Sequence, residues 1–332
     1  MKIVLFLGAG FSAPYDLPVM NRFLAVAERS GRLTADQKAL LRELTIEARQ
    51  ANSFLLSSPT NLEDILSFAM MGERLWGGTE EGSRLRGVRR ILQRVYTEVG
   101  DLSVFWSRYD ALRRFLGFEP RELQHELRIV TTNYDLNAEC ALRHLSMYAH
   151  PGFPAPAGNF YQEVGVPVYK LHGSVNWFAA SKDGGKLDVD QDIVEVRSRV
   201  GQEFVTGPVP AVCATNYAND RAPLLVAPSF LKPPLNKTMS DIWRGAAEAL
   251  GEAHLVVFVG YSFPPSDTVM RYYLASALTR NAVLQRIVVV DPQADSIVIK
   301  LKDSASGYGS HFRDLLVADS HSWIKTGIDL DL

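Results

Sequence analysis

Cysteine is nearly absent from this chain: only Cys140 and Cys213 occur among its 332 residues, far apart in sequence. A structural zinc site built from paired C-x-x-C motifs needs four thiolate ligands. The chain therefore cannot form a Cys₄ zinc module. So few cysteines also favour a reducing compartment, where disulfides do not form.

Long hydrophobic runs and a strong charge imbalance are missing as well. No stretch approaches the ~18 consecutive apolar residues of a membrane helix, and the first residues lack the basic region and cleavage site of a signal peptide. The net charge of −2 gives no electrostatic case for nucleic-acid binding. We therefore expect a soluble cytoplasmic protein, with no membrane contact and no direct nucleic-acid contact.

Short runs rich in Val and Ile predict buried strands, because they end abruptly in small or polar residues. They are Ile3–Leu7, Ile129–Thr132, Val166–Leu171, Leu255–Val259 and Ile287–Val290. Helical patterns lie between some of them, at Met239–Leu250 and Thr268–Leu278. Strands that alternate with helices predict an α/β fold: a Rossmann-like parallel sheet covered by helices.

The segment between the first two strands is different, because its apolar residues recur at three- and four-residue spacing, which is typical of amphipathic helices. The predicted helices are Phe23–Ala27, Asp36–Ala48, Leu62–Met71, Leu85–Val99 and Val104–Phe115. We interpret residues 19–126 as a large all-helical insertion after the first strand. Residues 1–18 and 127–332 then form the Rossmann-like domain.

Three local features complete this outline. Asn61, followed by Asp64, is predicted to cap the third helix of the block. Residues 149–165 are expected to form a long loop. Residues 175–223 are expected to contain a hairpin.

The first predicted strand runs into Gly8-Ala9-Gly10-Phe11-Ser12-Ala13, a G-x-G-x-x-A pattern. Such a turn lets backbone amides approach a pyrophosphate, although a plain tight turn explains it about equally well. A dehydrogenase would also carry an acidic strand end about 20 residues later. The chain has none there, which disfavours hydride transfer.

Polar and glycine residues also follow the other predicted strands. They are Thr132-Asn133-Tyr134-Asp135, His172-Gly173-Ser174, Gly260-Tyr261-Ser262 and Asp291. Each has an ordinary alternative: a helix cap for Asn133 or Asp135, a turn for His172 or Ser262, a strand stop for Asp291. Because ligands bind beyond the carboxyl ends of parallel strands, their joint occurrence favours one ligand site.

In this order, GAGFSAP, TTNYD, KLHGS, VGYSFPPSD and VVVDP resemble the motifs of the sirtuin superfamily. The resemblance implies that NAD⁺ is bound and that Asn133 and His172 form the reactive centre, with Asp135 either catalytic or a cap. It implies that the following residues bind NAD⁺: Gly8, Ala9, Gly10, Ser12, Thr132, Gly260, Ser262 and Asp291. Asp291 stands where the family usually has an asparagine that contacts the adenosine ribose.

The chain departs from the protein-deacylating sirtuins in two places. It lacks their zinc ribbon, and Tyr15-Asp16-Leu17-Pro18-Val19-Met20 replaces their G-I-P-D-F-R segment. This reduced pattern resembles the NAD⁺-depleting effectors of bacterial anti-phage defence. It implies an NAD⁺ glycohydrolase that uses NAD as substrate and needs no metal. An NAD-dependent deacylase and a non-catalytic module that senses NAD or ADP-ribose remain alternatives.

The same resemblance implies a homo-oligomer and a separate partner of the HerA-type ATPase class. The helix Leu85–Val99 is a candidate contact, since Val88, Ile91, Leu92 and Val95 lie on one side of it. That side packs either within the chain or on another subunit.

Overall fold

The computed structural model describes fifteen stretches of the chain. They are residues 1–13, 17–31, 33–54, 61–76, 79–96, 126–144, 147, 149–152, 165–179, 194–200, 203–206, 225–226, 237–264, 267–304 and 315–319. The predicted helix Val104–Phe115 lies outside them.

A seven-stranded sheet, all of whose strand pairs are parallel, forms the centre of the fold. The strands among the described residues are β1 (Lys2–Leu7), β2 (Glu126–Thr131), β3 (Ala149–His150), β4 (Val166–Lys170), β5 (Trp177–Ala179), β6 (Val194–Val200), β7 (Glu203–Thr206), β8 (Leu255–Val259), β9 (Arg286–Val290) and β10 (Leu316–Asp319). The order in the sheet is β10-β9-β8-β1-β2-β4-β3. This confirms the parallel sheet that the apolar runs predict.

Helices cover both faces of this sheet. They are α1 (Ala9–Ser12), α2 (Phe23–Arg29), α3 (Ala35–Phe54), α4 (Leu62–Trp76), α5 (Thr79–Tyr96), α6 (Asn137–His144), α7 (Lys237–Glu252), α8 (Thr268–Leu278) and α9 (Ala294–Ser304). Ile3, Leu5 and Leu7 of β1 share a hydrophobic core with α2–α6. Val4 and Phe6 point to the other face and pack with α7–α9. None of the described helices is both long and apolar enough to cross a membrane.

The described helices between β1 and β2, which are α2–α5, share a hydrophobic core with the sheet. The candidate contact side of α5, which consists of Val88, Ile91, Leu92 and Val95, is at most 1% exposed. It lies in the same cluster as the β1 side chains. The alternative in which these four residues face another subunit is therefore wrong.

Several predicted boundaries move. The helix predicted at Leu85–Val99 corresponds to α5, which starts earlier than predicted, at Thr79, while residues 97–99 lie outside the described residues. The strands β2 and β4 end one residue early, at Thr131 and Lys170. The Asn61 cap is confirmed, because its Oδ1 accepts from the amide nitrogens of Glu63 (2.7 Å) and Asp64 (3.2 Å).

Two of the regions predicted as irregular contain strands. The stretch predicted as a loop at 149–165 opens with β3, which pairs with β4 at the edge of the main sheet. The predicted hairpin in 175–223 is present as β6–β7, which joins β5 in a small antiparallel sheet.

Candidate functional site

The carboxyl ends of five neighbouring strands lie level with one another. Leu7 pairs with both Thr131 and Val259, Thr131 pairs with Lys170, and Val259 pairs with Val290. The residues after these ends are therefore level too, and they include Gly8, Thr132, Gly260 and Asp291. The chain builds outward from β1 in both directions, so this edge contains the switch point at which α/β sheets bind ligands.

The loop after β1 packs directly on the loop after β8. The Gly10 nitrogen donates to the Gly260 oxygen at 2.9 Å. A Cβ on Gly8 would lie 2.5 Å from that same oxygen, and a Cβ on Gly10 would lie 2.7 Å from the Gly260 Cα. Gly260 itself has a φ of 61°, a conformation that favours glycine. Contact between the two loops therefore explains these glycines without any ligand.

Asn133 joins β2 to the loop after β1. Its side-chain nitrogen donates to the Gly8 oxygen (2.8 Å) and to Ser12 Oγ (3.2 Å). A backbone carbonyl only accepts, so the contact with Gly8 determines which end of the amide is the nitrogen. The carbonyl oxygen, Oδ1, is the end that remains to accept a hydrogen bond from a ligand or water.

Thr131 supports this arrangement, although the sequence patterns pointed to its neighbour Thr132. The Thr131 hydroxyl donates to the Leu7 backbone oxygen (3.0 Å) and accepts from the Asn133 backbone nitrogen (3.0 Å). Thr132 is half-buried, and its amide continues the backbone ladder to Leu7 at 3.2 Å. A buried threonine at a strand end gives no local sign of this bridging role.

His172 occupies the matching position on the next strand. Asn133 and His172 each lie two residues beyond the paired positions Thr131 and Lys170. The imidazole is buried, with its ring centroid 6.2 Å from that of Tyr134. Gly173 has a φ of 79°, so the turn that follows the histidine favours glycine.

A short segment at residues 225–226 closes this part of the site. The Val226 nitrogen donates to the His172 oxygen (2.8 Å), and the Tyr134 hydroxyl donates to the Val226 oxygen (3.1 Å). Burial raises the pKa of the Tyr134 phenol well above its usual value, and the nearby Tyr96 and Glu63 add to this increase. Tyr134 is therefore a neutral hydrogen-bond donor at physiological pH.

Asp135 acts as a helix cap. Its Oδ1 accepts from the Asn137 nitrogen (3.0 Å), at the residue where α6 begins. Capping, one of the two alternatives for this residue, accounts for its buried carboxylate. Its backbone oxygen accepts from the buried Lys170 ammonium, which also contacts Glu139 Oε1 at 2.9 Å. Neither Lys170 nor Glu139 was singled out from the sequence.

The strand ends on the other side of β1 are more open. Ser262 is exposed, and the next residue, Phe263, has a left-handed φ of 50° while its ring packs 4.8 Å from that of Tyr261. Asp291 is half-buried, and its Oδ1 accepts from the Gln293 nitrogen (2.8 Å) just before α9. Asp291 directly follows the last residue of β9, Val290, and this contact lies in the turn toward α9, which agrees with its strand-stop alternative.

Helix α5 contacts the segments that follow β4 and β1. Gln93 Nε2 donates to the Val175 oxygen (3.2 Å), and the Tyr96 hydroxyl donates to the Pro18 oxygen (3.2 Å). The Tyr96 and Tyr134 rings lie 6.1 Å apart.

Among the described residues, no group of three or more His, Cys, Asp or Glu side chains is arranged to hold a metal ion.

A known family covers all of these motifs except the loop after β1. Residues 127–308, more than half of the chain, match the SIR2-like domain. The chain belongs to the SIR2-like family. NAD is the expected ligand of such a domain, and the parallel sheet covered by helices in this SIR2-like protein is a Rossmann-like fold.

Solved sirtuins resemble the chain only distantly. Sir2Tm bound to a propionylated peptide is 13% identical over 98% of this chain and 89% of its own, with a TM-score of 0.37. SIR2 in complex with the inhibitor EX-527, 2'-O-acetyl-ADP-ribose and deacetylated p53 peptide is 12% identical over 98% and 90%, with a TM-score of 0.36. Similarity this low supports no residue-by-residue correspondence. No curated protein matches the chain.

Proposed function

We propose that this SIR2-like protein is an NAD⁺ glycohydrolase, which cleaves the nicotinamide–ribose bond to give nicotinamide and ADP-ribose. The main support is the position of Asn133 and His172. Each lies two residues beyond the end of its strand, β2 or β4, at matching positions, and the Asn133 side-chain amide is held against the loop after β1. A hydrogen-bond acceptor and an imidazole thus lie at adjacent strand ends on the ligand-binding edge of the sheet.

The proposed reaction has one bond broken and one formed. The C1′–N bond breaks and its electron pair neutralises the positively charged nicotinamide ring. A water oxygen bonds to C1′ from the opposite face. Asn133 Oδ1 accepts a hydrogen bond that orients the water or a ribose hydroxyl. His172 takes the proton that the water releases, since imidazole accepts protons at neutral pH.

The remaining site residues are proposed to hold the dinucleotide. The residues at the switch point and beyond it are Gly8, Ala9, Gly10, Ser12, Thr132, Gly260, Ser262 and Asp291. We leave Asp135 out of the chemistry because its carboxylate caps α6. The reaction as written uses no metal, because a cationic leaving group needs no Lewis acid.

The two other functions make different predictions. A deacylase is disfavoured because two cysteines cannot build the zinc module of the protein-deacylating sirtuins. A non-catalytic sensor would bind NAD⁺ or ADP-ribose without needing an imidazole beside Asn133. A deacylase would release nicotinamide only with an acylated peptide, whereas a sensor would release none.

A cytoplasmic enzyme that hydrolysed NAD⁺ freely would kill its host. We therefore propose a regulated effector of anti-phage defence, which assembles as a homo-oligomer and responds to a trigger or to a partner of the HerA-type ATPase class. Since the apolar side of α5 is buried within the chain, any contact between subunits uses other surfaces. Light scattering over a concentration range, paired with NAD⁺ turnover, tests control by assembly. A monomer with full constitutive turnover would refute it.

The decisive experiment follows nicotinamide and ADP-ribose over time, with and without an acylated peptide. We expect release without peptide, and a loss of at least about 10²-fold in His172→Gln. The matched control is His254→Gln, since His254 lies at the opposite end of the sheet, where its Nδ1 accepts from the Lys2 nitrogen (3.1 Å). Formation of O-acetyl-ADP-ribose, or full activity in a folded His172→Gln protein, would overturn the proposal.

A further inference from the structure

A buried ion pair lies next to the segments that carry Asn133 and His172. Lys170 occupies the last paired position of β4, opposite Thr131, and its side chain is 1% exposed. Glu139, in the first turn of α6, is 8% exposed, and its Oε1 lies 2.9 Å from the Lys170 ammonium. The pair therefore joins a strand to the helix that follows the neighbouring strand.

Stability alone is a weak explanation for this pair. Removing two charges from water costs several kcal/mol per ion, and replacing a buried pair by uncharged residues is often neutral or stabilising. The geometry here is also incomplete, because Glu139 Oε2 is buried and makes no hydrogen bond with any described residue. An incompletely satisfied carboxylate lowers the net gain further.

The second contact of the lysine indicates what the pair accomplishes. The Lys170 ammonium also donates to the backbone oxygen of Asp135. That oxygen lies two residues after Asn133, while Lys170 lies two residues before His172. One side chain therefore links the segment that carries Asn133 to the strand that carries His172. A charged donor makes a stronger hydrogen bond to a carbonyl than a neutral one does.

Two neutral hydrogen bonds also join the loops after β2 and β4. The Tyr134 backbone oxygen accepts from the Val175 backbone nitrogen (3.1 Å) and from Ser174 Oγ (3.4 Å). Both donors lie in the loop beyond His172, and both contact Tyr134. The backbone oxygen of Asp135 is instead contacted by Lys170. Without the lysine, the link between Asp135 and β4 would be lost, and Asn133 could shift relative to His172.

We propose that Lys170 is a positioning residue, which sets the distance between Asn133 and His172, and that Glu139 holds its ammonium in place. The predicted effect on turnover rests on the proposed function, whereas the structural role of Lys170 does not. A shift of about 1 Å between reacting groups can cost up to 10²-fold in rate. The sequence signal is the lysine of KLHGS together with the glutamate six residues after Asn133.

The test uses variants that separate position from charge burial. Lys170→Met alone would leave the Glu139 charge buried without its partner, which destabilises strongly. The double variant Lys170→Met/Glu139→Gln removes both charges at similar volume. We expect it to melt close to the wild-type temperature but to lose kcat at least about tenfold, with KM changed less than about threefold.

Glu139→Gln is the matched single variant. Its amide oxygen still accepts from the lysine, and the contact between Lys170 and Asp135 stays. We expect it to keep kcat to within about threefold, even if its melting temperature falls. A double variant with wild-type kcat would overturn the positioning role. Equal losses of kcat in the single and double variants would do the same, because the contact between Lys170 and the Asp135 backbone oxygen remains in the single variant.

Amide hydrogen exchange gives a readout that does not depend on turnover. In the double variant, residues 133–139 should exchange faster, while β8 should be unchanged. Unchanged exchange at 133–139 would overturn the inference, whether or not the wild type cleaves NAD⁺. A wild type without turnover, combined with faster exchange in the variant, would refute the proposed function but keep the positioning role. If the double variant does not fold, Lys170→Gln/Glu139→Gln replaces it, with the same expectation, because the shorter amide side chain cannot span both partners.

Discussion

Replacing Asn133 with alanine separates a chemical role from a packing role. The side chain donates two hydrogen bonds, to the Gly8 oxygen and to Ser12 Oγ. Buried hydrogen bonds of this kind contribute about 0.5–1.5 kcal/mol each, so the free energy of unfolding should fall by about 1–3 kcal/mol. The fold should survive such a loss, because domains are typically stable by about 5–15 kcal/mol.

The loss of activity should be larger than packing alone explains. If Asn133 Oδ1 orients the water or the ribose, kcat should fall by at least about 10²-fold, or about 2.7 kcal/mol at 1.36 kcal/mol per factor of ten. Ser12→Ala is the matched comparison: within the protein it removes the 3.2 Å contact, and the loss of a contact between this hydroxyl and the bound dinucleotide would raise KM rather than lower kcat. The substitution leaves Oδ1 and the bond to Gly8 in place. We expect this variant to lose less than about tenfold in kcat and about 0.5–1.5 kcal/mol of stability.

Chemical denaturation and NAD⁺ turnover at saturating substrate measure the two effects separately. A folded Asn133→Ala protein that keeps kcat within about threefold of wild type would refute the chemical role. Equal losses of kcat in Asn133→Ala and Ser12→Ala would show that the amide serves only to hold the loop after β1.

Two further predictions concern binding and pH. Ala9 is half-buried just after β1. Ala9→Glu should therefore weaken ADP-ribose binding about tenfold relative to Ala9→Gln by repelling the diphosphate, and this difference in affinity should shrink in high salt. Equal affinities of the two variants by calorimetry would place the diphosphate elsewhere. Burial lowers the pKa of His150 from its usual value, so the unfolded chain binds the proton more readily and this residue lowers stability as the pH falls below about 6.5. The melting temperature of the wild type should therefore drop more between about pH 7 and pH 5 than that of His150→Gln, and parallel curves would contradict this assignment.

The elements of the main sheet could be predicted because their signal is local. A strand buried on both faces is apolar along nearly its whole length, as in LVVFV of β8 and the IVVV that follows Arg286 in β9. The amphipathic spacing in α5 was equally clear, although its first turn, which begins at Thr79, has no apolar residue to mark it. Short edge strands escaped prediction: β3 has two residues and becomes a strand only by pairing with β4.

The site was predictable in its membership but not in its contacts. Motif order identified Asn133 and His172 as candidates, and the parallel sheet implies that strand ends meet at one edge. The sequence could not show that Gly8 and Gly10 pack on Gly260, or that the side chain of Asp135 caps a helix.

The sequence by itself determined the class of fold, the family and the central strands to within a residue at their carboxyl ends. It could do so because the spacing of apolar residues and the motifs at strand ends each lie within a short stretch of chain. Only the tertiary structure decided which strand ends are neighbours and what each polar group contacts. Lys170 and Glu139 are 31 positions apart, and Gln93 and Val175 are 82 apart. Such contacts form only when the chain is packed, since the free energy of a buried polar group depends on partners that its own segment does not contain.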